Sequence, residues 1–220
     1  MINTLIFDFN GTMFFDGLLQ KNSWREFLEE RFGSSMTDHE FGEHVAGRNN
    51  RHTFEYFTNR KFTDAELFEI AEQKEQLYRE YCLRQPGKFR LVTGLPELLS
   101  RCQQEGTKLN IATASERTNV DFFFEHLHLD KWFDIDQIVL NNGELPGKPA
   151  PDMFLQAIKN VGATPANSAI FEDSASGIEA ANHARVGQVV LVEDSELDKM
   201  IIPANLRVDK IIHDYQHLKL

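Results

Sequence analysis

In the stretch "LIFDFNGTMFFD", residues 5–16, a carboxylate at Asp8 follows three apolar residues, and Asn10 stands two positions later. A carboxylate at the end of a buried strand needs compensation for its charge, and side chains two apart on a strand share a face. Three further polar groups stand at the ends of strand-like runs or just after one. "IATAS" supplies Thr113, Ala114 and Ser115, "GKPAPD" supplies Lys148, and "FEDSAS" supplies Glu172 and Asp173. Three carboxylates facing one another would repel and raise each other's pKa, and a bound cation resolves this. A site of oxygen donors from Asp8, Asp173 and the neighbouring Glu172 suits Mg2+ better than zinc, which favours His or Cys. Lys148 can hold negative charge beside a nucleophilic carboxylate. The Thr113 hydroxyl and the backbone N–H groups that follow it, that of Ala114 first, can grip phosphoryl oxygens. Together these residues form a set for phosphoryl transfer, although Asn10-Gly11 alone would be an ordinary turn and Lys148 alone a solvated loop lysine.

In an open parallel sheet, ligands bind outside the carboxyl ends of the strands, so the chain must supply such a sheet. From Leu95 onward it alternates "KLNIATA", "FDIDQIVL", "SAIFED", "GQVVLVED" and "VDKIIHD", which read as strands, with helical patterns. The latter are "LPELLSRCQQEG", "NVDFFFEHLHL", "PDMFLQAIKNVG" and "GIEAANHARVG". The alternation predicts a parallel sheet covered by helices on both faces, with "TLIFDF" as its first and central strand. Between residues 17 and about 90 strand-like runs vanish. Ser23 with Glu26, Thr37 with Glu40 and Thr63 with Glu66 fit the capping box, and four helices are expected. The last of these spans about Asp64 to Arg84 and stops before "QPGK". The expected architecture is an α/β, Rossmann-like parallel-sheet core over residues 1–16 and 90–220, with an inserted all-helical cap over 17–89. There is no internal repeat and no low-complexity segment.

At 220 residues and 41% hydrophobic, the chain can bury a substantial core. A net charge of -11 with no block of Lys or Arg argues against sequence-independent nucleic-acid binding, and it means that a phosphorylated substrate would need a metal. The opening "MINTLIFDFN" has neither the basic nor the apolar region of a secretion signal, and the only thiols are Cys82 and Cys102. No apolar run approaches the length of a membrane span. The expectation is a soluble cytoplasmic monomer with no membrane or nucleic-acid partner.

In order and placement, the four motifs resemble those of the haloacid dehalogenase superfamily, in particular its beta-phosphoglucomutase-like branch with a small helical cap. "DFNGT" is similar to the first motif, Asp-x-Asp-Gly-Thr. "IATAS" matches the second, Lys148 in "GKPAPDMF" the third, and "FEDSASGIEAANHA" the fourth. The resemblance covers essentially the whole chain. It implies that Asp8 is the nucleophile that becomes a phosphoaspartate and that Thr113 and Lys148 bind the transferring group. It also implies that Mg2+ is held by Asp8, the backbone carbonyl of Asn10 and Asp173, with Glu172 adjacent. The family usually has aspartate at position 10, where it protonates the leaving oxygen and then activates water. Asn10 keeps the carbonyl but has no proton to give at neutral pH, a loss of roughly 10²- to 10⁴-fold for a positioned acid/base. Acyl or aryl phosphates, with leaving groups of low pKa, would suffer least. His52 or Arg51 could act through water.

The segment "AGRNNRH", residues 46–52, reads as a specificity loop in which Arg48, Asn49, Asn50 and Arg51 would meet the substrate's leaving group. His126, His128 and His183 read as surface or packing residues, and Phe122, Phe123 and Phe124 as core-facing and cap-contacting packing rather than a base-stacking platform. The expected function is Mg2+-dependent hydrolysis of a small phosphorylated metabolite. A sugar phosphomutase is the nearest alternative, but the hinge histidine usual in mutases of the branch falls at Gln20 here. A catalytically weak phosphometabolite-binding protein is the other, suggested by Asn10.

Overall fold

The computed structural model describes residues 1–45, 50–197 and 201–218. In chain order the elements are β1 (Thr4–Phe7), α1 (Gly17–Phe32), α2 (Asp38–His44), α3 (Asn50–Thr58), α4 (Asp64–Arg84), α5 (Leu95–Gln104), β2 (Lys108–Ile111), α6 (Arg117–Leu127), α7 (Asp152–Asn160), β3 (Ser168–Glu172), α8 (Ala175–His183), β4 (Gln188–Val192) and β5 (Lys210–Ile212). They divide into two compact units, Met1–Phe15 with Arg90–Leu220, and Asp16–Phe89.

The first unit is built on a sheet of order β2-β1-β3-β4-β5, parallel at every pairing. Strands β1 and β3 are buried at every residue, as continuous apolar runs in a sheet covered on both faces should be. The Phe7 and Phe171 rings stack at 4.7 Å between these two strands. Strand β1 is interior, but the middle place belongs to β3. The run "FDIDQIVL" does not form the expected strand. Only Val139 pairs with the sheet, in a single bridge to Ala112. The cause is local, because Asp134 turns its side chain back to accept the Asp136 N–H at 3.0 Å while its carbonyl accepts the Gln137 N–H at 2.9 Å. An Asx turn thus uses the backbone groups that a strand would have offered.

The second unit is all-helical, with Trp24, Phe27, Leu28, Met36, Val45, Phe54, Phe62 and Ile70 at its centre. Thr37 and Thr63 form complete capping boxes with Glu40 and Glu66 at the starts of α2 and α4. Ser23 does not start a helix. It lies buried in the middle of α1, its hydroxyl donating to the Gln20 carbonyl at 2.9 Å. Leu19, Ser23, Trp24, Phe27 and Leu28 share the buried face of α1, so the apolar period overrides the local Ser-x-x-Glu signal. Asp16 precedes α1 without capping it, and its Oδ2 accepts from the Tyr78 hydroxyl at 2.6 Å and the Gln20 amide at 3.3 Å. Among the described residues no helix is long and apolar enough to cross a membrane.

Candidate active site

The register of the sheet brings the predicted residues level with one another. Phe7 pairs with Ile111 on one side and Phe171 on the other, so Asp8, Ala112 and Glu172 leave the three strands at the same height. The Asp8 N–H donates to the Phe171 carbonyl at 2.9 Å, and the Ala112 N–H donates to the Phe7 carbonyl at 2.9 Å, continuing the ladders by one residue. One carboxylate oxygen from each of Asp8, Glu172 and Asp173 lies within 4.8 Å of the others.

Lys148, in the loop before α7, answers part of this negative charge. Its ammonium donates to Asp8 Oδ1 at 2.5 Å and to Glu172 Oε1 at 2.7 Å, and its side chain is only 8% exposed. The Nζ also sits 4.9 Å from the centre of the Phe154 ring. Burial alone would lower the lysine pKa, but the Asp8 and Glu172 charges and hydrogen bonds outweigh it and hold the ammonium above its ordinary range. Glu172 is 1% exposed, and its second oxygen accepts from the Ser174 N–H at 2.6 Å and the Ser174 hydroxyl at 2.9 Å. Ser174 in turn caps α8, its hydroxyl accepting the Gly177 N–H at 3.0 Å. Position 177 requires glycine, because a Cβ there would overlap the Glu172 carboxylate. Glu172 therefore braces Lys148 against the start of α8.

Asp173 meets the turn that follows β1. Gly11 adopts a left-handed backbone with φ of 76°, and a Cβ there would overlap the Asp173 carboxylate. The Thr12 hydroxyl donates to Asp173 Oδ1 at 3.4 Å. Asn10 reaches the other way, toward the segment after β2, where the Ser115 hydroxyl donates to its Oδ1 at 2.8 Å. The Ser115 N–H donates to Thr113 Oγ1 at 3.1 Å, so Thr113, Ser115 and Asn10 form a connected chain across two strand ends. Thr113 is buried and Ala114 exposed.

The expected specificity residues fall differently. Arg48 and Asn49 lie outside the described residues. Asn50 opens α3, and Arg51 ties that helix to the start of α4, donating to Asp64 at 2.5 Å, the Phe62 carbonyl at 2.7 Å and Glu55 at 3.3 Å. His52 Nε2 lies 3.3 Å from His44 Nδ1. Phe123 and Phe124 are buried and Phe122 partly so, while His126, His128 and His183 are exposed.

The donor set fits a hard divalent cation. It offers carboxylate oxygens only, with no imidazole or thiolate, and three carboxylates against one ammonium leave an excess of negative charge. Beneath it lies a residue that sequence patterns did not single out. Tyr215 is 2% exposed and donates its hydroxyl to the Thr12 carbonyl at 3.0 Å. It follows β5 by three positions with no periodic signal, and only tertiary packing brings it there.

Residues 5–198 match the haloacid dehalogenase-like hydrolase family, and the chain belongs to it, with a helical cap. A crystal structure of a HAD hydrolase, family IA, variant 3, from Entamoeba histolytica superposes with a TM-score of 0.88 at 30% identity, over 100% of this chain and 96% of that one. Protein CbbY of Rhodobacter capsulatus is 33% identical over 135 residues, 61% of this chain and 58% of CbbY. A phosphorylated carbohydrates phosphatase of Thermotoga maritima is 28% identical over 120 residues, 54% of this chain and 51% of its own length. The matched part thus spans between half and three fifths of each of these two relatives.

Proposed function

We propose that this hydrolase is a Mg2+-dependent phosphatase of a small phosphorylated metabolite, acting through a phosphoaspartate on Asp8. The observation that carries this reading is the meeting of Asp8, Glu172 and Asp173 at three level strand ends, with the Lys148 ammonium bonded to two of them. Asp8, the Asn10 backbone carbonyl and Asp173 would hold Mg2+. When bound, the ion supplies Lewis-acid stabilisation of charge on the phosphoryl oxygens. Lys148 fixes the Asp8 carboxylate for in-line attack on phosphorus, and with Thr113 and the Ala114 N–H it binds the transferring group. The Asp8 oxygen forms the new bond to phosphorus as the bond to the leaving oxygen breaks. Water then attacks the phosphorus of the phosphoaspartate, the bond from phosphorus to the Asp8 oxygen breaks, and the water's protons pass to the released phosphate and to solvent, restoring the Asp8 carboxylate.

The Asn10 amide transfers no proton in either step. Its side-chain oxygen accepts from the Ser115 hydroxyl at 2.8 Å. Leaving groups that depart without a proton, such as acyl and aryl phosphates, suit it best. A carbohydrate phosphate, the substrate class in the Thermotoga relative's name, would need its proton from water or another group. Asn50 and Arg51, with Arg48 and Asn49 beside them, are assigned to substrate selection on sequence position. The buried free thiols Cys82 and Cys102 fit a reducing cytoplasm, and we assign the protein there as a monomer without nucleic-acid or membrane partners.

Asn10 also supports a second reading, a protein that binds phosphorylated metabolites and turns them over weakly. A mutase is less well supported. Gln20 replaces the usual hinge histidine, its amide donating to Asp16 and its carbonyl oxygen accepting from Lys74. Release of phenolate from an activated aryl phosphate decides between enzyme and binder. Turnover is expected with Mg2+, absent with chelator, and abolished in Asp8→Asn and Asp173→Ala. Tight binding of phosphorylated metabolites in calorimetry, with no turnover of any ester, would establish the binding protein instead.

A further inference from the structure

Thr12 is fully buried, so its backbone carbonyl needs a partner inside the protein. The Tyr215 hydroxyl is that partner, at 3.0 Å. Its ring is wedged beneath the sheet's first and third strand ends, 6.1 Å from the centre of Phe7 and 5.7 Å from that of Phe171. The backbone of Tyr215 is fixed as well, its N–H donating to the Thr93 carbonyl at 2.9 Å. Thr12 in turn holds one oxygen of Asp173 through its own hydroxyl, and the preceding Gly11 packs directly against the same carboxylate.

We infer that Tyr215 is a positioning residue for the metal site: by anchoring the Thr12 carbonyl it holds the turn after β1 in the conformation that orients Asp173 toward the cation. The inference rests on reading the carboxylate cluster as a Mg2+ site. A phenol suits the task because it stays a donor. Its hydroxyl is directed at the Thr12 carbonyl and carries no charge. A mobile lysine in its place would bring a charge to a location where Lys148 already supplies one. The phenol adds direction without charge, as partners that orient metal ligands commonly do.

Tyr215→Phe removes the hydroxyl and keeps the ring against Phe7 and Phe171. Mg2+ affinity measured by calorimetry is expected to weaken roughly tenfold, the low end of the range for groups that orient metal ligands. The metal dependence of aryl phosphate turnover should shift to higher Mg2+ by the same factor. At saturating Mg2+ most of the parental kcat should return, which a general loss of folded protein would not allow. A thermal melt of each variant without metal separates folding from binding. Thr12→Val removes the hydroxyl that touches Asp173, and in that background Tyr215→Phe should add little if the two residues act in series. Unchanged Mg2+ affinity in a folded Tyr215→Phe would overturn the inference, as would full additivity with Thr12→Val. Neither result would touch the phosphatase reading, which fails if the parent turns over no activated ester with Mg2+ present.

Discussion

Asn10 stands two positions after Asp8, where the motif it resembles carries aspartate. A carboxylate there would accept the Ser115 hydroxyl as Asn10 does now, at a place where the Oγ to Oδ1 distance is already 2.8 Å. Asn10→Asp therefore changes proton chemistry with little change of shape. It is expected to accelerate hydrolysis of alkyl phosphates on the order of 10²-fold, the low end of the range for a positioned general acid. Aryl esters, whose leaving oxygen departs without help, should gain far less. The measurement is kcat/KM for both proteins across esters of graded leaving-group pKa, at one pH and saturating Mg2+. An equal gain for all esters, or none for alkyl esters with Mg2+ binding intact, would move the proton donor away from position 10. The sequence already contained this substitution in plain sight, since the neighbouring motif residues define what position 10 should do. It did not contain the Ser115 contact, which joins residues 105 positions apart. Nor did it show that both oxygens of Glu172 are taken up by Lys148 and Ser174.

The elements were legible where local and tertiary forces agree. Thr63 with Glu66 marks the start of α4, and the box forms with the Glu66 N–H donating to the Thr63 hydroxyl at 3.3 Å and the Thr63 N–H donating to Glu66 at 2.9 Å. Ser23 with Glu26 has the same spacing but sits where the apolar face of α1 continues on both sides, and packing prevails. "FDIDQIVL" fails as a strand for the converse reason, because a local Asx turn wins where only one ladder neighbour is available. A cap is worth about 1 kcal/mol. Thr63→Ala should thus lower stability by about 1 kcal/mol in urea unfolding followed by circular dichroism. Ser23→Ala, which loses a bond within a helix turn and gains helix propensity, should cost clearly less. Equal losses for the two would mean that the Ser23 hydroxyl contributes as a cap does, contrary to its place in α1.

Across the whole molecule, acidic groups that stay protonated are buried in both compact units. In Asp16–Phe89, Tyr78 is pushed well above its ordinary range, by burial first and then by Asp16; Cys82 is raised to about 12, by burial first and then by Asp16. Tyr81 is raised to about 12, by burial and by Glu26. In the other unit burial raises Cys102, and the Lys148 ammonium is held above its usual range by its carboxylates against the cost of burial. The sign is the same for all. A group whose pKa is higher in the folded chain binds more protons there than when unfolded, so stability falls as pH rises. For Cys82 the contribution is complete below the ordinary thiol value of 9.0 and disappears as pH rises toward about 12. Each fully coupled group sets a slope of up to about 1.4 kcal/mol per pH unit inside its window. Urea unfolding between pH 8 and pH 11 is expected to show stability declining steeply above about pH 9, where thiols of an unfolded chain ionise. Cys82→Ala removes one such group. It lowers stability at neutral pH through lost packing, but the diagnostic is the slope, which should flatten by about 1 kcal/mol per pH unit in the same interval. An unchanged slope would mean that Cys82 ionises in the folded protein as readily as in the unfolded one, and that the alkaline limit is set instead by the tyrosines and Lys148.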